Sequence, residues 1–227
     1  MKNVRGKTFG GCLRSFFFGA LVLAATTQTA LATVILTNNR SDIEGPLSYT
    51  TNWGDQGGEF TSLGPTFTQG PVTVSGADGF TVFLGSTYSA DFLADEFILA
   101  LYDLNNGVEL PGVFNINFAT AVARAGAQVQ ALAFGGFTGI ISAYDSSNAL
   151  LGSFNVSGTT GGNGNGSAVF AGIVSDAANI SRIQFAGFGA GAGINQLTAN
   201  VPEPSSILLL IGPLVFLAVA RRRRIRS

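Results

Sequence analysis

The stretch Phe114-Asn115-Ile116-Asn117-Phe118 alternates apolar and polar residues at every step, and that period of two restricts the fold more than any other feature. A helix repeats its apolar face every 3.6 residues, so strict alternation gives one buried face only on a strand. Related patterns recur at 72–74, 80–84, 97–101, 129–134, 137–144, 150–156, 168–174, 180–185 and 194–199. Turn signals separate them: Gly76-Ala77-Asp78-Gly79, Asn105-Asn106-Gly107, residues 145–148 and the glycine-rich run 158–166. About ten short strands divided by Gly/Asn/Asp clusters predict an all-β sandwich or barrel. Residues 119–133 are rich in alanine and compatible with a helix, but Gly126 and Val129-Gln130 favour a strand there.

Charge divides the chain into three parts. Residues 1–32 hold Lys2, Arg5, Lys7 and Arg14 and no acid; 33–200 hold twelve acids against three arginines; 201–227 hold five arginines against Glu203. Basic, apolar ends thus flank an acidic middle. At the front, the basic residues precede the apolar run 16–25, and Ala30-Leu31-Ala32 offers small residues to a signal peptidase. Residues 1–32 are therefore expected to be a secretory signal helix cut after Ala32, with an uncleaved N-terminal anchor as the alternative. Cys12, the single cysteine, leaves with that signal. The remaining domain, about 170 residues without disulfides, must rely on burial, and a chain of that length buries roughly 70% of its unfolded surface.

The middle part lacks the side chains of most hydrolytic and redox chemistry. With no histidine in the chain, imidazole acid–base catalysis is excluded. With no cysteine after Cys12 and no lysine after Lys7, thiol nucleophiles, Cys/His zinc sites and Schiff bases go too. Carboxylates remain. Asp91, Asp95 and Glu96 lie close in sequence, and a glycosidase needs two carboxylates across the scissile bond; twelve acids also give such neighbours by chance, so no catalytic residue is assigned. Oxygen donors in the glycine-bearing loops 52–59 and 102–107 suit calcium chemically, although neither has the spacing of an EF-hand loop. Trp53, the only tryptophan, is either a sugar-stacking platform or a plug at the edge of the sandwich. The candidate ligand residues are accordingly Trp53, Asp55, Glu59 and Asp103. Gly187, Gly189 and Ala192 fit a dinucleotide fingerprint, but a strand pattern follows them where a helix is required. An acidic domain also disfavours nucleic acid as a partner.

The last 27 residues read Val-Pro-Glu-Pro-Ser-Ser, a charge-free run from Ile207 to Ala220, then Arg221, Arg222, Arg223, Arg224 and Arg226. Pro202 and Pro204 hold the preceding backbone extended. As a helix the fourteen apolar residues measure roughly 21 Å, short of a ~30 Å hydrocarbon core. Arg221, Arg222, Arg223, Arg224 and Arg226 provide a stop-transfer signal and snorkelling length, predicting a transmembrane helix over 205–220 with a cytoplasmic basic end. Pro202, Glu203 and Pro204, the apolar run and the terminal arginines together resemble the PEP-CTERM sorting domain. That resemblance implies recognition by exosortase, a membrane transpeptidase of Gram-negative bacteria that make exopolysaccharide.

Residues 142–154, 172–185 and 194–206 are similar to the closing strands of jelly-roll-like, carbohydrate-binding-module-like sandwiches. Relatives of that kind carry acids where this chain has Asn195-Gln196. Together the resemblances imply a jelly-roll-like β-sandwich over 33–200 between a signal helix and a sorting tail over 201–227. The expected protein is exported and non-enzymatic, held in the inner membrane and then released to the cell surface or matrix, with signal peptidase and exosortase as partners. A sugar- or calcium-binding module and a carboxylate glycosidase are the alternatives.

Overall fold

The structure, a computed structural model, describes residues 32–76, 79–88 and 90–200. Several expectations fall outside the described residues: Ala30 of the signal cut, the sorting motif Pro202, Glu203 and Pro204, and the tail helix 205–220. The stop-transfer arginines Arg221, Arg222, Arg223, Arg224 and Arg226 lie outside them as well. No helix among the described residues is long and apolar enough to cross a membrane.

The described chain is all-β. Its strands are β1 (Val34–Thr37), β2 (Ser48–Thr50), β3 (Ser62–Leu63), β4 (Thr66–Gln69), β5 (Val72–Ser75) and β6 (Phe80–Leu84). Next come β7 (Phe97–Ala100), β8 (Tyr102–Asp103), β9 (Val108–Glu109), β10 (Val113–Val122), β11 (Arg124–Gln130) and β12 (Gly135–Tyr144). The last are β13 (Leu150–Thr160), β14 (Val169–Ser175), β15 (Ile180–Ala186), β16 (Gly193–Ile194) and β17 (Thr198–Asn200). A nine-stranded sheet runs β1-β14-β11-β16-β7-β6-β3, with β17 joining β11 to β2. A six-stranded sheet runs β13-β12-β15-β10-β5-β4, and β8 and β9 form a separate hairpin. Strand pairing is antiparallel throughout, as in β1 with β14 and β12 with β13.

The core lies between the two large sheets, which makes the domain a β-sandwich. Val74, Phe114, Ile116, Ile141, Ile183 and Phe185 enter it from the six-stranded sheet. Leu99, Ala125, Ala127, Val129, Ile173 and Ile194 meet them from the nine-stranded sheet. On β10 the alternation is realised as read: Phe114 and Ile116 are buried while Asn115 and Asn117 are half-exposed. A second, smaller cluster of Phe83, Tyr88, Phe92, Ile98 and Ala100 covers part of the outer face of the nine-stranded sheet.

Residues 119–130 are strand rather than helix: they finish β10 and form β11, with Ala125, Ala127 and Val129 turned to the core. Gly126 faces Gly172 across the β11–β14 ladder. A Cβ at Gly126 would stand 2.6 Å from the Gly172 Cα and 2.8 Å from the Ala171 carbonyl oxygen. Both obstacles are backbone, so Gly126→Ala is expected to cost about 1–3 kcal/mol, measured as a lower urea midpoint with an unchanged slope. Two expected strands are corrected. The strand over 129–134 ends at Gln130, and Phe134 is exposed. The strand over 194–199 is split into β16 and β17, because Asn195 to Leu197 leave the ladder to bond with the segment around Trp53.

Candidate functional site

Trp53 opens a 3-10 turn, Trp53–Gln56, capped by the Asn52 side chain, which accepts from the Gly54 N–H at 3.2 Å. Its indole is fully buried, donates from Nε1 to the Asn195 carbonyl at 2.7 Å, and meets the Phe67 ring edge-on at 6.2 Å. No face is left for a sugar, so the stacking role is corrected: Trp53 is a core plug. Asp55, exposed in the same turn, accepts from Gln69 Nε2 at 3.2 Å. Glu59 accepts from the Thr87 hydroxyl. Asp103 belongs to the β8–β9 hairpin and accepts the backbone N–H of Asn105 at 2.9 Å and Asn106 Nδ2 at 2.6 Å. The Asn106 amide above all holds its carboxyl below the usual range. These residues are spent on separate turns. Among the described residues no group of three acidic, histidine or cysteine side chains is placed to hold a metal ion.

Asp91, Asp95 and Glu96 are likewise pulled apart. Asp95 points to solvent. Asp91 is 2% exposed and accepts from Gln130 Nε2 at 2.6 Å and from the backbone N–H groups of Gly161 and Asn163, both at 2.7 Å. Burial alone would raise its pKa. The N–H groups of Asn163 and Gly161, with the Gln130 amide, outweigh that and hold the carboxyl below its ordinary range. The glycine run is therefore not a simple connection. Its first residues, Gly158 to Thr160, complete β13, and the next are fastened to a buried carboxylate.

Glu96 joins a polar group on the outer face of the nine-stranded sheet, centred on Asn195. The Asn195 Oδ1 accepts from Arg40 Nη2 at 3.3 Å and the Gln128 N–H at 2.9 Å. Its Nδ2 donates to Glu96 Oε1 at 3.2 Å and Gln128 Oε1 at 2.5 Å. An amide fits here because it can serve a cation and an anion at once; a carboxylate would face Glu96 with like charge. Arg40 also donates to Thr198 Oγ1 at 3.2 Å and lies 5.4 Å over the Phe170 ring. The adjoining open cleft, about 380 Å³, is lined by Arg40, Glu44, Glu96, Gln128 and Gln196. All four hydrogen-bonding positions of the Asn195 amide are filled from within the protein, so this group acts as a latch between β11, β17 and the segments that cover them.

A second cleft, about 460 Å³, opens beside the six-stranded sheet and is lined by Asn117, Asp145, Ser146, Asn148, Ser181 and Arg182. Its Arg182 guanidinium lies 3.9 Å over the Tyr144 ring, and Arg182 Nε is buried without a partner. Asp145 is engaged by its own turn, accepting from the Ser147 hydroxyl at 2.7 Å and the N–H groups of Ser147 and Ala149 at 2.9 Å. Those bonds, the Ser147 hydroxyl first, hold its carboxyl low. Of the four tyrosines, Tyr88 is buried, Tyr49 and Tyr102 are half-buried, and Tyr144 is the one that lies beside this cleft. Sequence reasoning offers Tyr144, with the other tyrosines, as an aromatic that a sugar-binding module would expose, but passes over Arg182 and Asn117. Their signal is the polar half of the alternating strands.

Compared with known protein families and with curated proteins, the chain matches none. Among solved structures, the enzymatically active domain of tailspike protein 4 from bacteriophage CBA120 is similar over 58% of this chain at 13% identity, with a TM-score of 0.28. The chain covers 19% of that protein's length.

Proposed function

We propose that the chain is an exported, non-enzymatic protein of the cell envelope or extracellular matrix. In this reading signal peptidase removes residues 1–32, and exosortase processes the tail at the Pro-Glu-Pro motif. Between the two steps the tail holds the protein in the inner membrane, with Arg221, Arg222, Arg223, Arg224 and Arg226 on the cytoplasmic side. Afterwards the acidic domain, a sandwich of jelly-roll type, associates with exopolysaccharide at the cell surface. One observation carries the reading. The described strands run from Val34 to Asn200, so cuts at the expected places would leave every described strand intact. A sugar-binding module is the second reading, favoured by the Arg182–Tyr144 pair at the edge of an open cleft.

The test is the intact mass of the protein from its native host, with and without exosortase. The expected product begins near Thr33 and lacks everything beyond the Pro-Glu-Pro motif, and alanine at Pro202, Glu203 and Pro204 together leaves the tail attached. A mature chain that still carries Arg221 to Arg226 in the exosortase-positive host overturns the sorting reading.

A further inference from the structure

The six-stranded sheet is almost without charge. Twelve acids lie in residues 33–200, yet none falls in β4, β5, β10, β12, β13 or β15, and the one charged residue in those strands is Arg182. The strands of the nine-stranded sheet hold no acid either; the acids lie in the connecting segments and in the β8–β9 hairpin. Apart from Arg182, and Asp145 in the turn beside it, the outer face of this six-stranded sheet therefore offers neutral hydrogen-bonding groups.

The ladder register aligns those hydrogen-bonding groups. Residues directly opposite each other on adjacent strands share a face. One row crosses all six strands: Thr66 opposite Ser75, Ser75 opposite Asn115, Asn115 opposite Gln184, Gln184 opposite Ser142, and Ser142 opposite Ser153. A second, parallel row crosses five: Thr68, Thr73, Asn117, Arg182 and Tyr144. Their strand neighbours Val74, Phe114, Ile116, Ile141 and Ile183 point into the core, so both rows face outward. With strands spaced ~4.8 Å apart, the longer row extends ~24 Å.

The rows are braced sideways. Gln184 Nε2 donates to Asn115 Oδ1 at 2.7 Å, and the Tyr144 hydroxyl donates to Gln184 Oε1 at 3.4 Å. Ser142 and Ser153 share a hydrogen bond at 2.8 Å, and Thr68 and Thr73 one at 3.0 Å. Each of these groups keeps further donor or acceptor capacity, and its conformation is set before any ligand arrives, which lowers the ordering cost of binding. The latch around Asn195 differs, because its groups are already consumed by one another.

We propose that this outer face of the six-stranded sheet binds an extended neutral polysaccharide laid across the strands along the two rows. A chain of sugar hydroxyls both donates and accepts, as do the amides and hydroxyls of Asn115, Asn117, Gln184 and Ser153. Arg182, 3.9 Å over the Tyr144 ring, supplies a fork of donors next to Asn117, the centre of the second row. An acidic polymer fits less well, because a single guanidinium would have to offset repulsion from the acidic domain around it. The inference rests on the polysaccharide association proposed above and specifies its surface and ligand class.

The test is affinity electrophoresis of the full-length chain in mild detergent, through gels containing dextran, soluble β-glucan, galactomannan or acidic alginate. Retardation by at least one neutral polymer is expected, equal at low and high salt. Asn117→Ala and Gln184→Ala should each weaken it roughly tenfold, as loss of a central anchor does. Ser75→Arg should block the longer row, and Asn105→Ala, on the β8–β9 turn, should change nothing. Thermal melts of the same variants establish that they fold. Retardation by none of the neutral polymers overturns the proposal, as does retardation by alginate alone or binding indifferent to Gln184→Ala and Ser75→Arg. The mass measurement reads tail processing independently. A processed chain that ignores neutral glycans fails this proposal alone, and a glycan-binding chain that keeps its tail fails only the sorting reading.

Discussion

Asp91→Ala is expected to destabilise the domain by about 3 kcal/mol, the cost of leaving buried partners of a charged acceptor unsatisfied. The Asp91 carboxylate holds the N–H groups of Gly161 and Asn163 and the Gln130 amide, while its own N–H donates to Gln130 Oε1 at 2.7 Å. Alanine keeps only that last bond. For a domain of this size the loss corresponds to a melting temperature roughly 6–12 °C lower. Asp91→Asn should recover part of it, since one amide oxygen remains to accept while the new NH2 opposes an N–H donor. Acid titration supplies an independent check. The folded carboxyl titrates below its ordinary value of 3.8, so its contribution is complete above that pH and disappears as pH falls through the lower, folded value. Wild type should lose stability steeply in that acid window, and Asp91→Ala should lose less. A variant as stable as wild type at neutral pH would mean the glycine run is held by something other than this carboxylate.

Trp53→Ala should cost about 4 kcal/mol, in the range for a large buried aromatic. It removes the edge-on contact with Phe67 and the donor to the Asn195 carbonyl. Trp53→Phe separates the two effects. It keeps much of the packing and drops the hydrogen bond, for an expected cost of about 1–2 kcal/mol. Because Asn195 also centres the latch with Arg40, Glu96 and Gln128, Trp53→Phe and Gln128→Ala should be non-additive in a double-mutant cycle. Trp53 is the sole tryptophan, so native fluorescence reports this one buried position, and wild-type emission should be blue-shifted until the fold is lost. Emission typical of solvated indole in the native protein would contradict the plug.

The strands were legible wherever one face is buried and the other is wet, as on β10 with Phe114, Ile116 and Phe118 against Asn115 and Asn117. They were illegible where that contrast fails. β4 carries a single apolar inward residue, Phe67, between threonines at the edge of its sheet, and β8 and β9 are two residues each. The clustered acids, to which no catalytic role is assigned, are separated for a geometric reason. Asp91, Asp95 and Glu96 are near in sequence, but the turn between them sends one inward to the glycine run, one to solvent and one to Asn195. Buried polar residues such as Gln130 and Asn195 have no signature in a hydropathy pattern, since their burial depends on partners far along the chain. The neutral rows of the six-stranded sheet were in the sequence as the polar half of each alternation. Only the register turns those separate residues into a surface.

The way β17 is held has a kinetic consequence. Leu197, just ahead of β17, bonds with Thr51, 146 residues distant, and β1 has no partner until β14 is made. Contacts so remote in sequence close late, after the entropy of large loops has been lost. For a chain threaded N-terminus first through a translocation channel, the nine-stranded sheet stays open until Asn200 emerges. Such a chain remains threadable for almost its whole passage and then folds in one late step. Under the sorting reading, a tail that pauses in the membrane at that moment keeps the half-paired sheet tethered and apart from its neighbours. Strand edges that would otherwise seed aggregation then meet β17 first.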